Sequence, residues 1–519
     1  MSDAGAAQDK ANPWLVAVVV AAATFMEVLD TTIANVALPY VAGGMAVSAD
    51  EATWVVTTYL VANAVALTAS SHLAKALGRR RFFIICLALF TVSSLLCGLA
   101  WDIRSLLFFR VLQGLGGGGM VPVSQSILAD AFPPEERGQG FALFGIAVVV
   151  APVVGPTLGG WLSDNWSWRW CFLINGPVGL LSIALVMLVV TETAVEDGDI
   201  SFDFVGFLLV STFLSALEVV LDRGQIEDWF ASNFIIFFAC LAGAAFLLMI
   251  PWEATRAHPV VDLRMISSRQ FGACFFVMMA IGAILISTTQ ILPQLLQLNF
   301  GYTAMLAGLV LSPGGLVTMV MMLVVGRLAG RVQPRYLIMA GAAIVALSMY
   351  NLTSLYGGLD FWFFARSRIY IGVGLPLIFI PITTASYDGV SSEKIDQASA
   401  LINVARNVGG SIGVSLAQNV LAHRTQFHVS RLTEASTPSD INYQETLNRL
   451  IDYFMSLGSS ATIAQRQATE WIGRQLQAQA SLLAYIDVFH TLMLLAALII
   501  PLALILRRVR LESRSVATH

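Results

Sequence analysis

The sequence predicts an all-α polytopic membrane protein: two six-helix bundles with two extra central spans, about 14 transmembrane helices in all, both termini cytoplasmic. Three observations carry this expectation. The 519 residues are 57% hydrophobic and only 12% charged, with a mean hydropathy of +0.75, whereas an average soluble domain is roughly 25% charged. Apolar runs long enough to cross a hydrocarbon core of about 30 Å recur along the whole chain. The chain also repeats itself. Leu73-Ala74 ahead of Arg80 returns as Leu328-Ala329 ahead of Arg335, and Arg110, Gly114 and Gly116 return as Arg368, Gly372 and Gly374. The first match lays spans two and three over spans ten and eleven, which makes spans seven and eight the additional pair. Parallel repeats of this kind are a transporter architecture with the site at their interface.

In order, the apolar runs fall near 14–38, 52–72, 82–101, 105–130, 140–163, 170–191, 204–222, 233–252, 271–293, 304–326, 336–355, 362–386, 399–422 and 484–506. The first begins like a signal peptide, with Lys10 ahead of Trp14 and Ala21-Ala22-Ala23 within it. It continues through Glu27 and Asp30 to Pro39, and so reads as an uncleaved span. The fifth carries Gly145, Pro152, Gly155, Pro156, Gly159 and Gly160. In water those residues would break a helix, at about 1 kcal/mol per glycine and 3 per proline. In lipid the helix persists, kinked and bare on one face. A static packing face and a bendable seam both fit, and the counterpart lies in span thirteen at Gly409-Gly410-Ser411-Ile412-Gly413.

Lysine and arginine in the short loops set the orientation. Lys75 with Arg79, Arg80 and Arg81, then Arg256, Arg264 and Arg269, then Arg327, Arg331 and Arg335, and the tail Arg507, Arg508, Arg510 and Arg514 all fall on the cytoplasmic side. The opposite loops hold little beyond Arg104, Arg169 and Arg223. The acidic stretch 191–201 (Glu192, Glu196, Asp197, Asp199) is also cytoplasmic, but acids weigh little in this rule. Expected boundaries are 1–191 for the N-terminal bundle, 192–252 for the linker and extra spans, and 253–519 for the C-terminal bundle. The last includes a periplasmic loop, 423–484. Within that loop Leu447, Leu450, Ile451, Phe454 and Leu457 recur at helical spacing, followed by Trp471, Ile472 and Leu476. This pattern suits helices lying on the bilayer or a platform for a partner.

Charges inside spans cost about 2.5–3.5 kcal/mol each and mark wet cavities or buried partners. Glu27 and Asp30 share a helical face in span one, with Thr24, Thr31 and Ala34 beside them. Arg110 lies in span four, Glu218 and Asp222 in span seven, Arg366 and Arg368 at the start of span twelve, and Arg406 in span thirteen. Carboxyls so placed suit proton carriage, because burial favours their neutral form and a nearby arginine the charged one. Of these, Asp30, Glu27, Arg110 and Glu218 are the proton-coupling candidates. Asp222 with Arg223-Gly224 reads as an interfacial turn and Arg366 as an interface anchor. An enzyme is not expected. The five cysteines lie in or beside apolar runs without disulfide or metal-ligand spacing. The six histidines form no HExxH motif, and no phosphate loop or Ser/His/Asp grouping stands out, so no catalytic residue, metal or nucleic-acid partner is assigned.

Four stretches resemble the major facilitator superfamily, specifically its fourteen-span drug:proton antiporter branch of the EmrB and QacA type, and most closely the EmrB type. Leu29-Asp30-Thr31-Thr32-Ile33-Ala34-Asn35-Val36-Ala37-Leu38-Pro39 is similar to that branch's first-span sequence, and Arg110-Val111-Leu112-Gln113-Gly114 to its span-four arginine motif. Gly145 to Gly160 resembles the antiporter motif of span five, and Trp168 to Pro177 is also similar to the branch. The loop motif after span two departs from the family. Ser71-His72-Leu73-Ala74-Lys75 stands where glycine and aspartate are usual, leaving Gly78, Arg79, Arg80 and Arg81 as the gating loop. The second copy, Gly326 to Arg331, also lacks the acid.

The resemblance implies proton-coupled multidrug efflux: export of lipophilic or amphipathic toxic compounds across the inner membrane of a Gram-negative bacterium, with no cofactor beyond the proton gradient. The partners it implies are a periplasmic membrane-fusion adaptor (EmrA-like), an outer-membrane channel (TolC-like) and membrane lipid. Spans one, four, nine and twelve would line a cavity bearing Thr31, Asn35, Gln113, Gln290, Gln294, Gln297 and Arg368, with Met278 and Met279 as an adaptable wall. Export of a single metabolite or antibiotic is the alternative. An importer or symporter fits the span-five motif and the extra spans less well.

Overall fold

The computed structural model describes residues 12–133, 136–192, 202–256, 259–391, 394–434, 436–437 and 439–507. Glu196, Asp197, Asp199, Arg508, Arg510 and Arg514 lie outside them. The N-terminal bundle comprises α1 (Pro13–Met45), α2 (Ala49–Leu77), α3 (Arg79–Gly98), α4 (Ile103–Ala131), α5 (Arg137–Asn165) and a sixth span broken into α6 (Trp170–Leu173) and α7 (Asn175–Val189). The additional pair is α8 (Phe204–Arg223) and α9 (Asn233–Thr255). A short α10 (Leu263–Ser267) leads into α11 (Arg269–Phe300), α12 (Ala304–Leu328), α13 (Pro334–Leu352), α14 (Phe361–Ser386), α15 (Ile395–Glu434), α16 (Ile441–Ser456) and α17 (Ala461–Ile505).

Helix starts follow local chemistry. Asn12 caps α1 ahead of Pro13, Ser48 and Glu51 form a reciprocal capping box on α2, and Asp102 and Ser105 do the same for α4. Between α2 and α3 the chain turns at Gly78, whose φ of 82° is open to glycine at no steric cost.

The two bundles pack by one scheme. In the first, α1 lies on α5, while α4 lies on both α2 and α3; in the second, α11 lies on α15, and α14 on α12 and α13. α7 and α17 close the two sets against α3 and α13. Between bundles, α5 packs on α12, and α15 on α2 and α4. The extra helices α8 and α9 pair with each other, and α8 bridges α2 and α15 across the seam.

Each of the fourteen expected runs falls on a helix, and one expectation, that of the 423–484 loop, changes. Among the described residues thirteen helices are long and apolar enough to cross a membrane. The region expected near 399–422 is the middle of α15, which carries Asn403, Arg406, Asn407 and Gln418. It tolerates them because it touches α2, α4, α11 and α17 rather than lipid alone.

The stretch 423–484 is not a loop with helices on the bilayer. α15 runs on to Glu434, and α17 starts at Ala461 and continues without a break through the last span. At 40 and 45 residues these helices are about 60 and 68 Å long, roughly twice the hydrocarbon thickness. Both therefore project from the end opposite the α2–α3 turn. Arg424 and His428 of α15 clasp Asp487 of α17 at 2.6 and 2.8 Å, and α16 packs along α17. The helical spacing seen in the sequence is real, but its apolar stripe faces a neighbouring helix.

Candidate functional site

Asp30 is the centre of a fully enclosed polar network. Its side chain is 1% exposed and that of Arg110 is 0%. Arg110 Nη1 donates to Asp30 Oδ2 at 2.7 Å and to Gln113 Oε1 at 2.8 Å. Gln113 Nε2 and Asn175 Nδ2 donate to Asp30 Oδ1 at 2.9 and 2.7 Å. Arg110 Nε donates to the Val55 carbonyl at 2.9 Å, and its guanidinium lies over the Tyr59 ring at 4.3 Å. One nitrogen, Arg110 Nη2, is buried without a partner. Four helices, α1, α2, α4 and α7, thus converge on one ion pair. Arg110 is a core residue here and not an interfacial anchor.

Glu27, one turn away on α1, faces α2 instead. Its Oε1 accepts from Tyr59 Oη at 3.0 Å and Asn63 Nδ2 at 3.3 Å. Gly117 of α4 makes room for both donors, since a Cβ there would meet Tyr59 Oη at 2.6 Å and Asn63 Nδ2 at 3.2 Å. Arg406 of α15 is buried, donates to Asn407 Oδ1 through Nε and Nη2, and is near enough to Glu27 for the two charges to interact. The site therefore reaches across the seam between bundles.

Glu218 of α8 is also buried, and its Oε1 accepts from Ser411 Oγ of α15 at 2.7 Å. It is not part of the Asp30 cluster. Asp222 bonds to Thr57, and Arg223 contacts Thr53, the Asp50 carbonyl and Glu227, so this pair ties α8 to α2. Arg368 is buried on α14 with its Nη1 3.3 Å from Thr288 Oγ1, whereas Arg366 is exposed over Phe363.

The seam is closed at the end bearing the α2–α3 turn. Arg79 bonds Asp396 of α15 twice, at 2.8 and 2.9 Å, and also pairs with Asp130 of α4. Ser399 and Asn403 of α15 donate to Gln125 of α4 at 3.0 and 2.7 Å, and Phe141 stacks on Tyr387 with centroids 5.5 Å apart. Arg80 and Arg81 turn instead to Glu192, at 3.9 and 3.4 Å. Arg79 of the loop motif thus pairs with acids on the facing helices, Asp130 and Asp396.

α5 presents glycines to two partners. Gly155 presses against Thr32 and Gly159 against Ile33 of α1, while Gly145 faces Met322 of α12 at 3.0 Å from where a Cβ would sit. Gly160 has open space around it. The seam and the packing face are different sides of one helix. In the C-terminal bundle Gly409 and Gly413 meet Met279 and Ala283 of α11 in the same manner.

The expected cavity residues have different surroundings. Gln113 belongs to the Asp30 network. Thr31 is half-buried and bonds its own helix at Val28, and Asn35 and Gln290 are exposed. Gln294 accepts from Gln418 at 3.0 Å within the second bundle, and Gln297 bonds the Pro293 carbonyl. Tyr59, Asn63, Asn175, Gln125, Asp130 and Asp396 are the functional-site neighbours that sequence reasoning missed. Of these only Asn175 carried a signal, inside the Trp168 to Pro177 stretch.

The model of the Major Facilitator Superfamily matches residues 20–414. The chain belongs to the major facilitator superfamily. It is 35% identical to the multidrug export protein EmrB of Escherichia coli (strain K12) over 473 residues, covering 90% of each chain. It is 36% identical to the fatty acid resistance protein FarB of Neisseria gonorrhoeae over 448 residues, covering 86% of this chain and 88% of that one. Its fold matches the proton:xylose symporter XylE at a TM-score of 0.57 and 13% identity, covering 94% and 96% of the two chains. The protein is accordingly a polytopic membrane transporter by family, and its bundles are those of the superfamily.

Proposed function

We propose that this superfamily member is a proton-coupled antiporter that exports lipophilic or amphipathic toxic compounds across the bacterial inner membrane. The observation that carries the reading is the ion pair of Asp30 and Arg110, sealed inside a membrane bundle with no water-facing edge. As a carboxylate, Asp30 holds α4 through Arg110 and Gln113, and α7 through Asn175. Taking up a proton removes the charge that Arg110 neutralises, so the network loses its organising centre and the four helices can repack. Glu27, bridged to α2 and facing Arg406 across the seam, is a second proton-responsive group, and Glu218 links the same cycle to α8. Potential alone supplies about 2.3 kcal/mol per charge at 100 mV, and a pH difference adds to it. No cofactor is required beyond the proton gradient.

The names of the relatives EmrB and FarB support small amphipathic compounds as cargo. The reading includes operation with a periplasmic membrane-fusion adaptor (EmrA-like) and an outer-membrane channel (TolC-like), for which the projecting α15–α17 extension is the natural contact. In this reading the α2–α3 turn faces the cytoplasm and both termini are cytoplasmic. The glycines of α5 let the bundles rock, and Arg79 with Asp130 and Asp396 latches the cytoplasmic end shut.

The test is Asp30→Asn in everted vesicles. Proton-gradient-driven efflux is expected to vanish while substrate still binds. Full gradient-driven efflux by the variant would sink the assignment.

A further inference from the structure

Gly206, in the first turn of α8, leaves room for two carboxylates that face each other. A Cβ there would stand 2.5 Å from Asp203 Oδ2 and 2.6 Å from Glu253 Oε1, so the two oxygens are near neighbours. Asp203 caps α8 by accepting from Gly206 N at 2.9 Å, and its two oxygens accept from Trp252 Nε1 at 3.1 and 3.0 Å. Glu253, near the end of α9, is 2% exposed. Its Oε2 accepts from Val261 N at 3.2 Å, whereas Oε1, on the side of Asp203, is buried and has no donor.

The cations nearby are engaged elsewhere. Arg256 stacks on Trp252 at 4.1 Å, Arg264 donates to the Ala254 carbonyl at 3.4 Å, and Lys394 of α15 pairs with Asp262 at 2.8 Å. From α2, His72 lies against Phe202 with ring centroids 4.5 Å apart, and Lys75 is close enough to His72 to interact with it. Among the described residues none of these bonds to Asp203 or Glu253, and His258 lies outside them. Two adjacent carboxylates without a cation do not both stay ionised, so the pair favours one proton held between them. Glu253 Oε1 then becomes the donor and Asp203 Oδ2 the acceptor, and the orphan atom gains its bond.

We propose that Asp203 and Glu253 share one proton, taken from the side of the membrane that bears the α2–α3 turn, and that its loss releases segment 259–262 from α9. With the proton in place, Glu253 stays against Asp203 and its Oε2 holds Val261. Without it the two charges repel, and Glu253 leaves the position from which it holds Val261. That segment is tied to the start of α15, since Asp262 pairs with Lys394 and Gln397 Nε2 donates to the Pro259 carbonyl at 3.0 Å. Asp396, between those two residues, is the acid that holds Arg79. The acid pair is therefore connected to the latch between the bundles, and a rise in pH on that side loosens it. The export reading enters only in calling that side cytoplasmic.

Hydrogen–deuterium exchange of the full-length protein in lipid nanodiscs reads the hold on Val261 directly. Protection of the peptide containing Val260 and Val261, corrected for the intrinsic pH dependence of exchange, is followed from about pH 6 to about pH 9. Wild type is expected to lose about tenfold or more of its protection as the pH rises, the effect of one proton over one pH unit. Glu253→Gln and Asp203→Asn each remove one charge and put an amide N–H where the proton was. Their protection should stay high across the whole range.

Wild-type protection that is flat with pH overturns the proposal, as does the wild-type fall persisting in both variants. His72→Gln and His258→Gln should keep the fall; its loss in either assigns the titration to that histidine and overturns the acid pair. Protection restored at high pH by millimolar magnesium would make the pair a metal site and overturn the shared proton. If one acid variant does not fold, the other still decides. Exchange is read without transport, so a failure of the antiport reading in everted vesicles leaves this inference standing, and a flat exchange profile leaves that reading standing.

Discussion

At the scale of single residues, the Asp30 network depends on direction as much as on charge. Arg110 uses Nε toward the Val55 carbonyl and Nη1 toward both Asp30 and Gln113. A lysine has one point of charge and cannot reach three acceptors on three sides. Arg110→Lys is therefore expected to slow proton-driven efflux about tenfold or more, since each lost bond to a charged group is worth about 1.5–3 kcal/mol. Initial rates of efflux in everted vesicles, normalised to protein in the membrane, measure it; a rate near wild type would show that charge alone suffices. Asp30, Glu27 and Arg110 could be picked from the sequence because charged groups stand out in apolar runs, and Gln113 because it lies in the span-four motif. Tyr59 and Asn63 could not, since a tyrosine or asparagine within a span is ordinary until a carboxylate is found opposite it, and Asn175 was marked only by lying in the Trp168 to Pro177 stretch. Asn35 and Gln290 show the limit of that signal, being polar residues in the same spans that are exposed and not enclosed.

At the scale of elements, α5 shows why a motif of small residues has no single meaning. Gly155 touches α1 within its own bundle, whereas Gly145 touches α12 in the other. Spacing alone cannot say which neighbour a bare face will meet. A side chain at Gly155 would collide with Thr32 and push α1 from α5. Gly155→Val is expected to destabilise the protein by about 1–3 kcal/mol, whereas Gly160→Ala, with open space around it, should stay within about 0.5 kcal/mol. Thermal unfolding in detergent, followed by the loss of the monodisperse peak, separates the two. Equal melting temperatures would mean that the α1–α5 contact yields without cost. The spans themselves were readable because lipid demands long apolar helices. α15 is the element most easily misjudged, since a helix shielded by several others carries polar residues that hydropathy counts against it.

At the scale of the whole molecule, the bundles are latched at one end and extended at the other. Arg79, Asp396, Gln125 and Asn403 hold the end of the α2–α3 turn, while α15 and α17 carry the second bundle well beyond the membrane at the far end. Sequence could not reveal the extension, because an amphipathic helix shows the same periodicity whether its stripe meets lipid or another helix. What decides is the continuity of α17 from Ala461 to Ile505 and the clasp of Arg424 and His428 on Asp487. α16 has no buried residue of its own, so it can be removed with little disturbance to the bundle beneath. Replacing Ile441–Ser456 with a short Gly/Ser linker should leave efflux in everted vesicles within about twofold of wild type, because α16 packs chiefly along α17 and has no buried residue. Resistance of intact cells should instead fall close to that of cells lacking the gene, if the extension is where a periplasmic adaptor docks. Loss of both together would mean that α16 supports the fold, and resistance kept in full would place the adaptor elsewhere on the molecule.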